Sequence, residues 1–184
     1  MRQGEILGLQ WDCVDFDKAK LEVRHSLQYL PNNRSLKAPK NGKPRSVAIP
    51  HFVADELKKW KEAQDAYAEK FRGVYANTMN LVFTNQEGNF VNGNYFSGHI
   101  FNEICKVAGV EGARFHDLRN FWAFSAMSKG VNIVAVSSQL GHSSTDITFQ
   151  RYTHVLERSR DELRSMLDDN PLFTGGDAEK KGAC

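Results

Sequence analysis

Residues 116–142 read HDLRNFWAFSAMSKGVNIVAVSSQLGH, and two glycines divide this stretch. Gly130 and Gly141 each follow a run of residues that are compatible with a helix. A glycine directly after such a run is a common helix terminator, because it adopts the left-handed conformation without a steric penalty. The stretch therefore predicts two consecutive helices, 116–129 and 132–140.

The N-terminal part of the chain shows a different periodicity. Apolar and polar side chains alternate from Leu21 to Leu27, as in a half-buried strand. Residues 14–16 fit a partner strand, and residues 45–49 fit a third strand that follows a loop of turn-forming residues at 31–44. We therefore predict a small three-stranded antiparallel sheet near the N-terminus, preceded by a short helix.

Helical periodicity returns after Pro50. A helix that continues as far as Phe71 would bury an apolar stripe in the core, formed by Val53, Leu57, Trp60, Tyr67 and Phe71. Another helix is predicted from Phe96 to Val107, with Gly109 as its cap. The predicted fold class is α+β, mainly helical, with one small sheet.

Composition restricts the class of protein. A chain of 184 residues with 41% hydrophobic residues suits one core of ordinary size. No apolar run approaches the roughly 20 residues that cross a bilayer, and no signal peptide is recognisable. The three cysteines are widely spaced and predict neither a disulfide framework nor a zinc site. We expect a soluble, intracellular protein.

Charge is distributed unevenly, although the formal net charge is only +2. The segment from residue 24 to residue 45 holds six basic residues and no acidic one, namely Arg24, Arg34, Lys37, Lys40, Lys43 and Arg45. Such a segment could follow a phosphate backbone. A solvated hairpin with lysines on its rim would explain the same charges equally well.

Several polar residues suit chemistry at a phosphate. Breaking a phosphodiester needs a nucleophile, cations around the non-bridging oxygens and an acid for the departing oxygen. Arg2 and Arg119 could bind the oxygens, because a guanidinium group contacts two of them at once. His116 lies one helical turn before Arg119. Three aromatic residues that follow, Phe121, Trp122 and Phe124, are predicted to anchor this helix in the core.

Two further residues complete this set. His142 follows the glycine that ends the second helix, so a sharp turn would present its ring. Tyr152 comes ten residues later and could be the nucleophile. A phenol with a pKa of about 10 attacks poorly at neutral pH, so it would need nearby cations.

These motifs, taken in order, resemble the tyrosine recombinases, the family of phage-type integrases. The resemblance extends from Arg2 to about Leu167 and rests on Arg2-x-Gly4-Glu5, Lys40-Asn41-Gly42-Lys43 before Arg45, His116-x-x-Arg119, Leu140-Gly141-His142 and Arg151-Tyr152-Thr153-His154. The chain departs from the pattern at Asn120, where the family often has a histidine.

The resemblance implies a role for each matching residue. Arg2 and Arg119 would bind the scissile phosphate, and Tyr152 would attack it to form a 3′-phosphotyrosine. His116 would assist proton transfer, and His142 would donate to a non-bridging oxygen. Glu5 would support Arg2. Lys40 would be the general acid, although Lys37 and Lys43 lie on the same loop and could take its place.

The resemblance also implies the activity and the partners. We expect a site-specific recombinase or integrase that acts on double-stranded DNA as a homotetramer, in the cytoplasm and associated with the nucleoid. Arg24, Arg34, Lys37, Lys43 and Arg45 would contact DNA. No cofactor and no metal are expected, since arginines and a lysine offset the charge and no carboxylate cluster offers a magnesium site. A type IB topoisomerase and an inactive DNA-binding remnant are the alternatives.

The domain organisation follows from the same resemblance. Residues 1–169 would be the catalytic domain, without its first helices and the upstream DNA-binding domain, and residues 170–184 would be a flexible tail. Arg2 would then lie at a frayed end of the chain, so we expect weak or no activity from this polypeptide alone.

Overall fold

The structure is a computed structural model that describes residues 1–30, 33–39, 42–142, 144, 145 and 148. Within these residues there are two small antiparallel sheets and a larger helical part. The helices are α1 (Gln3–Leu7), α2 (His51–Lys70), α3 (Gly93–Tyr95), α4 (Phe101–Val107), α5 (Phe115–Ser128) and α6 (Ile133–Leu140). A 3₁₀ turn at Trp11–Cys13 follows α1, and a π-helical turn at Phe96–Ile100 joins α3 to α4. The predicted α+β class is confirmed.

The predicted three-stranded sheet is present. Its strands are β1 (Val14–Asp15), β2 (Lys20–Val23) and β5 (Arg45–Ala48), with β2 in the centre. Leu21 pairs with Val14 on one side and with Val47 on the other. These alternating apolar residues face the main core cluster, which also includes Trp11 and Val82.

A second sheet was not predicted. It is a hairpin of β3 (Ser26–Leu30) and β4 (Asn33–Lys37), in which Leu27 pairs with Leu36. The assignment of 31–44 as a loop was therefore wrong for β4, and the predicted strand from Leu21 to Leu27 is in fact divided between two sheets. Leu36 is the one apolar residue of β4, so this strand carries no alternation to detect.

Helix α1 packs closely on the hairpin because two of its positions are glycines. A Cβ atom on Gly4 would lie 2.7 Å from the carbonyl oxygen of Leu27, and one on Gly8 would lie 2.8 Å from the Leu27 nitrogen. Any side chain at these positions would push α1 away from β3. The glycines thus fix the position of Arg2 and Glu5, which flank Gly4.

Helix α2 buries only part of the predicted apolar face, on which Leu57 packs against the main core cluster. Its buried residues are Ala54 and Gln64, whereas Trp60 is 43% exposed and Phe71 is 38% exposed. The Gln64 amide accepts a hydrogen bond from the Trp11 indole at 2.7 Å and donates one to the Val82 carbonyl at 3.2 Å. A polar group can be buried when its hydrogen bonds are satisfied, and this explains the burial of Gln64. The assignment of the whole aromatic stripe to the core was therefore wrong.

Helices α5 and α6 share a second core cluster of Ala123, Met127, Val136 and Leu140. The predicted anchors of α5 were wrong, since Phe121 is 70% exposed and Trp122 and Phe124 are 44% and 41% exposed. The small side chain of Ala123 lets α6 approach, so it is the opposite face of α5 that packs. The two glycine stops are confirmed: Gly130 and Gly141 have φ of 80° and 67°.

Candidate functional site

Glu5 is the centre of a buried group of charges. Its side chain is 1% exposed, and it occupies the third position of α1, where a carboxylate can accept the N–H of the residue before the helix. One carboxylate oxygen accepts the Arg2 backbone N–H at 2.7 Å, and the other accepts the Arg2 Nη1 at 2.9 Å. Glu5 therefore holds both the backbone and the side chain of Arg2.

Arg45 binds the same carboxylate from β5. Its Nη1 and Nη2 donate to the two oxygens of Glu5 at 3.0 and 2.7 Å, in a two-point contact that suits the planar guanidinium group. The Arg45 side chain is 12% exposed. One carboxylate thus lies between two guanidinium groups.

These contacts change the acidity of Glu5. Burial would raise the pKa of its carboxyl group, but the hydrogen bonds from Arg45 and from the Arg2 backbone outweigh it. The result is a pKa of about 2, against an ordinary value of 4.5. Glu5 is therefore ionised at any physiological pH.

Three arginines donate hydrogen bonds to three successive carbonyl oxygens at the C-terminus of α6. Arg45 Nε donates to Gln139 at 3.4 Å, Arg119 Nη2 donates to Leu140 at 2.6 Å, and Arg2 Nη2 donates to Gly141 at 3.4 Å. The last carbonyls of a helix have no partner within it and form the negative end of its dipole. We call the set of Glu5, these three arginines and carbonyls 139–141 the arginine junction.

Gly141 makes this arrangement possible for two reasons. Its φ of 67° lies in the left-handed region, where a side chain is strained. A Cβ atom there would also lie 2.6 Å from the Cζ of Arg45. The Leu140-Gly141-His142 motif thus leaves space for a guanidinium group as well as ending a helix.

His142 lies at the edge of the arginine junction. Its backbone N–H donates to Ser137 at 3.1 Å, and its Nδ1 is 2.6 Å from the Thr148 hydroxyl. A cavity of about 340 Å³ opens here between Arg2, Lys43, Arg45 and His142. A larger cavity of about 610 Å³ lies elsewhere, against Ile6 and Phe96, and its lining is mainly apolar.

Arg119 reaches the junction from the buried face of α5, where it is 8% exposed. It lies close to the amino group of Met1: burial and the positive charge of Arg119 lower the pKa of that group to about 6. His116, one turn earlier, is exposed at the start of α5. The structure thus brings Arg2, Arg119 and His142 together, whereas His116 lies at the surface end of the same helix.

Two predicted site residues, Lys40 and Tyr152, lie outside the described part of the chain.

The described residues of the basic segment lie in different environments. Arg24 is ion-paired with Asp12 and Glu22, Arg34 donates to the Phe90 carbonyl at 3.3 Å, and Lys37 and Lys43 are exposed. Arg45, which was grouped with them on charge, is instead a member of the arginine junction.

Gln139 was missed in the sequence. Its side-chain amide donates to the Ala48 carbonyl at 2.7 Å and accepts the Ala48 N–H at 3.2 Å. It therefore occupies the free edge of β5 and holds that strand against α6. No spacing or motif indicates this contact, because the two residues are 91 positions apart.

The described residues contain neither a cluster suited to a metal ion nor a membrane-spanning helix. No group of three or more His, Cys, Asp or Glu side chains among them could hold a metal ion. None of the helices in this part of the chain is long and apolar enough to cross a membrane.

The sequence of this chain is similar to those of known recombinases and integrases. Tyrosine recombinase XerC-like of Caldanaerobacter subterraneus subsp. tengcongensis is 32% identical over 181 residues, which cover 92% of this chain and 46% of that protein. The ICEBs1 integrase of Bacillus subtilis is 26% identical over 92% of the chain and 45% of its own length. The chain thus spans just under half the length of these relatives.

Solved structures share the fold. The Tn1549 transposon integrase in complex with a circular intermediate DNA superposes with a TM-score of 0.71 at 19% identity, over 90% of this chain and 54% of that one. The XerH recombinase bound to palindromic difH substrate gives a TM-score of 0.65 at 24% identity, over 92% of this chain and 42% of that one. The model of the phage integrase family matches residues 1–159. With its motifs, its fold and this match in agreement, the chain belongs to the phage integrase family.

Proposed function

We propose that this chain is the catalytic part of a site-specific DNA recombinase, which cuts and rejoins DNA strands through a 3′-phosphotyrosine on Tyr152. The observation that carries the proposal is the convergence of Arg2, Arg45 and Arg119 on three successive carbonyl oxygens, directly beside His142. Fixed cations at one point suit the negative charge that develops on a phosphorus atom under attack.

Each residue then has a task. Arg2 and Arg119 bind the non-bridging oxygens of the scissile phosphate, and His142 donates a further hydrogen bond. Tyr152 attacks, Lys40 protonates the departing 5′ oxygen, and His116 assists proton transfer. The attack joins the Tyr152 oxygen to phosphorus and releases the 5′ oxygen, so the bond energy is kept for rejoining without ATP or a metal ion.

The DNA partner is supported by the relatives and by exposed basic residues. The Tn1549 integrase and XerH were solved with DNA. In this chain Arg24, Arg34, Lys37 and Lys43 would contact the backbone outside the scissile phosphate. Residues 1–169 would form the catalytic unit, four copies would act on paired sites, and a DNA substrate implies a location on the nucleoid in the cytoplasm.

Recombination is favoured over DNA relaxation. The relatives reported above are recombinases and integrases by name, and none is a topoisomerase. The same tyrosine chemistry would serve both activities, so a plasmid assay separates them. Relaxation of plasmid without strand exchange would favour the topoisomerase reaction.

A suicide DNA substrate tests the proposal. We expect a version of the chain that is extended upstream to form a covalent adduct. The Tyr152→Phe variant of this longer protein should not form it, and Arg119→Ala should reduce it by about a hundredfold or more. Tyr67→Phe, which changes a tyrosine on α2, is the matched control and should behave like the wild type. An adduct that survives Tyr152→Phe would remove the nucleophile assignment.

A further inference from the structure

Arg45 differs from the other basic residues of its segment. Its side chain is 12% exposed, whereas the Arg24 side chain is 40% exposed. It makes a two-point contact with Glu5, donates to the Gln139 carbonyl and leaves no space for a side chain at position 141. These contacts tie β5 to both α1 and α6.

The contact between Arg45 and Glu5 determines the net charge beside Arg2. Glu5 is one carboxylate that faces two guanidinium groups, Arg2 and Arg45, so the three side chains keep one net positive charge. If Glu5 faced Arg2 only, the pair would be neutral and would attract an anion weakly. The Glu5 and Arg45 side chains are only 1% and 12% exposed, so solvent screens their charges less than it would at the surface.

We propose that Arg45 is a positioning residue that engages the Glu5 carboxylate, so that Arg2 keeps a fixed orientation and an available positive charge for a DNA phosphate. The inference rests on the proposed function, in which Arg2 binds the scissile phosphate. Arg45 would influence phosphate binding indirectly, through Arg2. The groups that would transmit it are Glu5 and the carbonyls at the end of α6.

Binding of inorganic phosphate tests this role without requiring catalysis. Affinity is measured from the rise in Tm with phosphate concentration, with ionic strength held constant by sodium chloride. Arg45→Gln should bind phosphate about tenfold more weakly than the wild type, because Glu5 then neutralises Arg2. Arg45→Lys keeps the charge and should stay within about threefold of the wild type.

The decisive variant is the double change Glu5→Gln with Arg45→Gln. It removes the carboxylate together with its balancing cation, so phosphate affinity should rise at least about threefold above that of Arg45→Gln. It should stay below the wild-type value, because Glu5 no longer orients Arg2. A purely structural ion pair predicts the opposite, since both partners are then missing. Replacing both partners of a buried pair is also often tolerated, so this variant should fold even where Arg45→Gln does not.

Arg72→Gln is the matched control. Arg72 is also an arginine paired with a glutamate, Glu69, but its side chain is 76% exposed and lies at the end of α2. Its phosphate affinity should equal that of the wild type. Arg2→Gln gives the baseline of a protein without the binding arginine.

The outcomes separate the inference from the proposed function. Weak binding by a folded Arg45→Gln, with recovery in the double variant, supports the role of Arg45. Three results overturn it: equal affinity in the wild type and a folded Arg45→Gln, a double variant that binds no more tightly than Arg45→Gln, or a wild type that binds no more tightly than Arg2→Gln. Failure of the covalent-adduct assay removes the proposed function and leaves these phosphate measurements as they stand.

Discussion

The arginine junction buries charged side chains, whereas the outer face of α5, which carries Phe121, Trp122 and Phe124, exposes apolar ones. In the junction, a carboxylate that is 1% exposed lies among arginines, whereas Phe121 on the outer face of α5 is 70% exposed. Glu5 is buried because its oxygens accept hydrogen bonds from two guanidinium groups. Burial in these two regions therefore depends more on the available hydrogen-bond partner than on the type of residue.

The two regions should therefore respond differently to substitution. Buried charges stabilise a fold only while they remain paired, and loss of one partner leaves the other in a poorly solvated place. An exposed aromatic side chain has little contact to lose. Single changes should be costly in the junction and almost neutral on the outer face.

The largest effect is expected for Glu5→Gln. This variant leaves Arg2 and Arg45 facing each other without a carboxylate, and we expect a loss of about 3–5 kcal/mol in the free energy of unfolding. Urea denaturation followed by circular dichroism measures it. Glu69→Gln, which breaks the exposed pair with Arg72, should cost less than about 1 kcal/mol. Equal losses for the two variants would show that burial does not distinguish them.

Acid should weaken the junction in a defined pH range. The folded pKa of Glu5 is about 2, below its ordinary value of 4.5, so its contribution is complete above pH 4.5 and is lost as the pH falls towards 2. The difference between the two values corresponds to about 3 kcal/mol. Denaturation series across this range should show a steeper loss for the wild type than for Glu5→Gln. Parallel curves would contradict the assignment.

A pair of glycines separates backbone strain from crowding. Gly130 and Gly141 both have positive φ, but a Cβ on Gly130 meets nothing within 4 Å, whereas one on Gly141 meets Arg45. Gly130→Ala should cost about 1 kcal/mol through strain, and Gly141→Ala should cost about 2–3 kcal/mol because it also displaces Arg45. Thermal unfolding of both variants tests the difference. Equal losses would mean that Arg45 moves away freely.

The smallest effect is expected on the outer face of α5. Phe121→Ser should change the free energy of unfolding by no more than about 0.5 kcal/mol. Met127→Ala, on the buried face of the same helix, should cost about 2–5 kcal/mol. Urea denaturation of the two variants compares the faces directly. A large loss for Phe121→Ser would show that this face is covered in solution.

Much of the fold could be predicted from local pattern. The glycine stops of α5 and α6, the long α2 and the three-stranded sheet follow from periodicity and turn chemistry, which act over a few residues. The hairpin of β3 and β4 and the burial of Gln64 in α2 could not be predicted. The first has too few apolar residues to alternate, and the second is fixed by a hydrogen bond between Gln64 and the distant Trp11.

Some residues of the candidate site could also be predicted from the sequence, and others could not. Arg2, Arg119 and His142 could be selected as a set because motif spacing indicates chemistry, and the structure brings them together at the end of α6. No motif or spacing in the sequence indicated the contact of Gln139 with Ala48 or the pairing of Arg45 with Glu5. Arg45 was grouped with exposed basic residues because charge alone does not distinguish a buried guanidinium group from a solvated one.

By itself, the sequence determined the helix boundaries near its glycines, the fold class and the set of candidate site residues. These depend on backbone conformation and side-chain chemistry, which each residue carries with it. Only the tertiary structure decided which arginines are buried, which carboxylate they share and which helix end they surround. Those contacts join residues up to 139 positions apart, as Arg2 and Gly141 show, and their strength depends on exclusion of water by the surrounding fold.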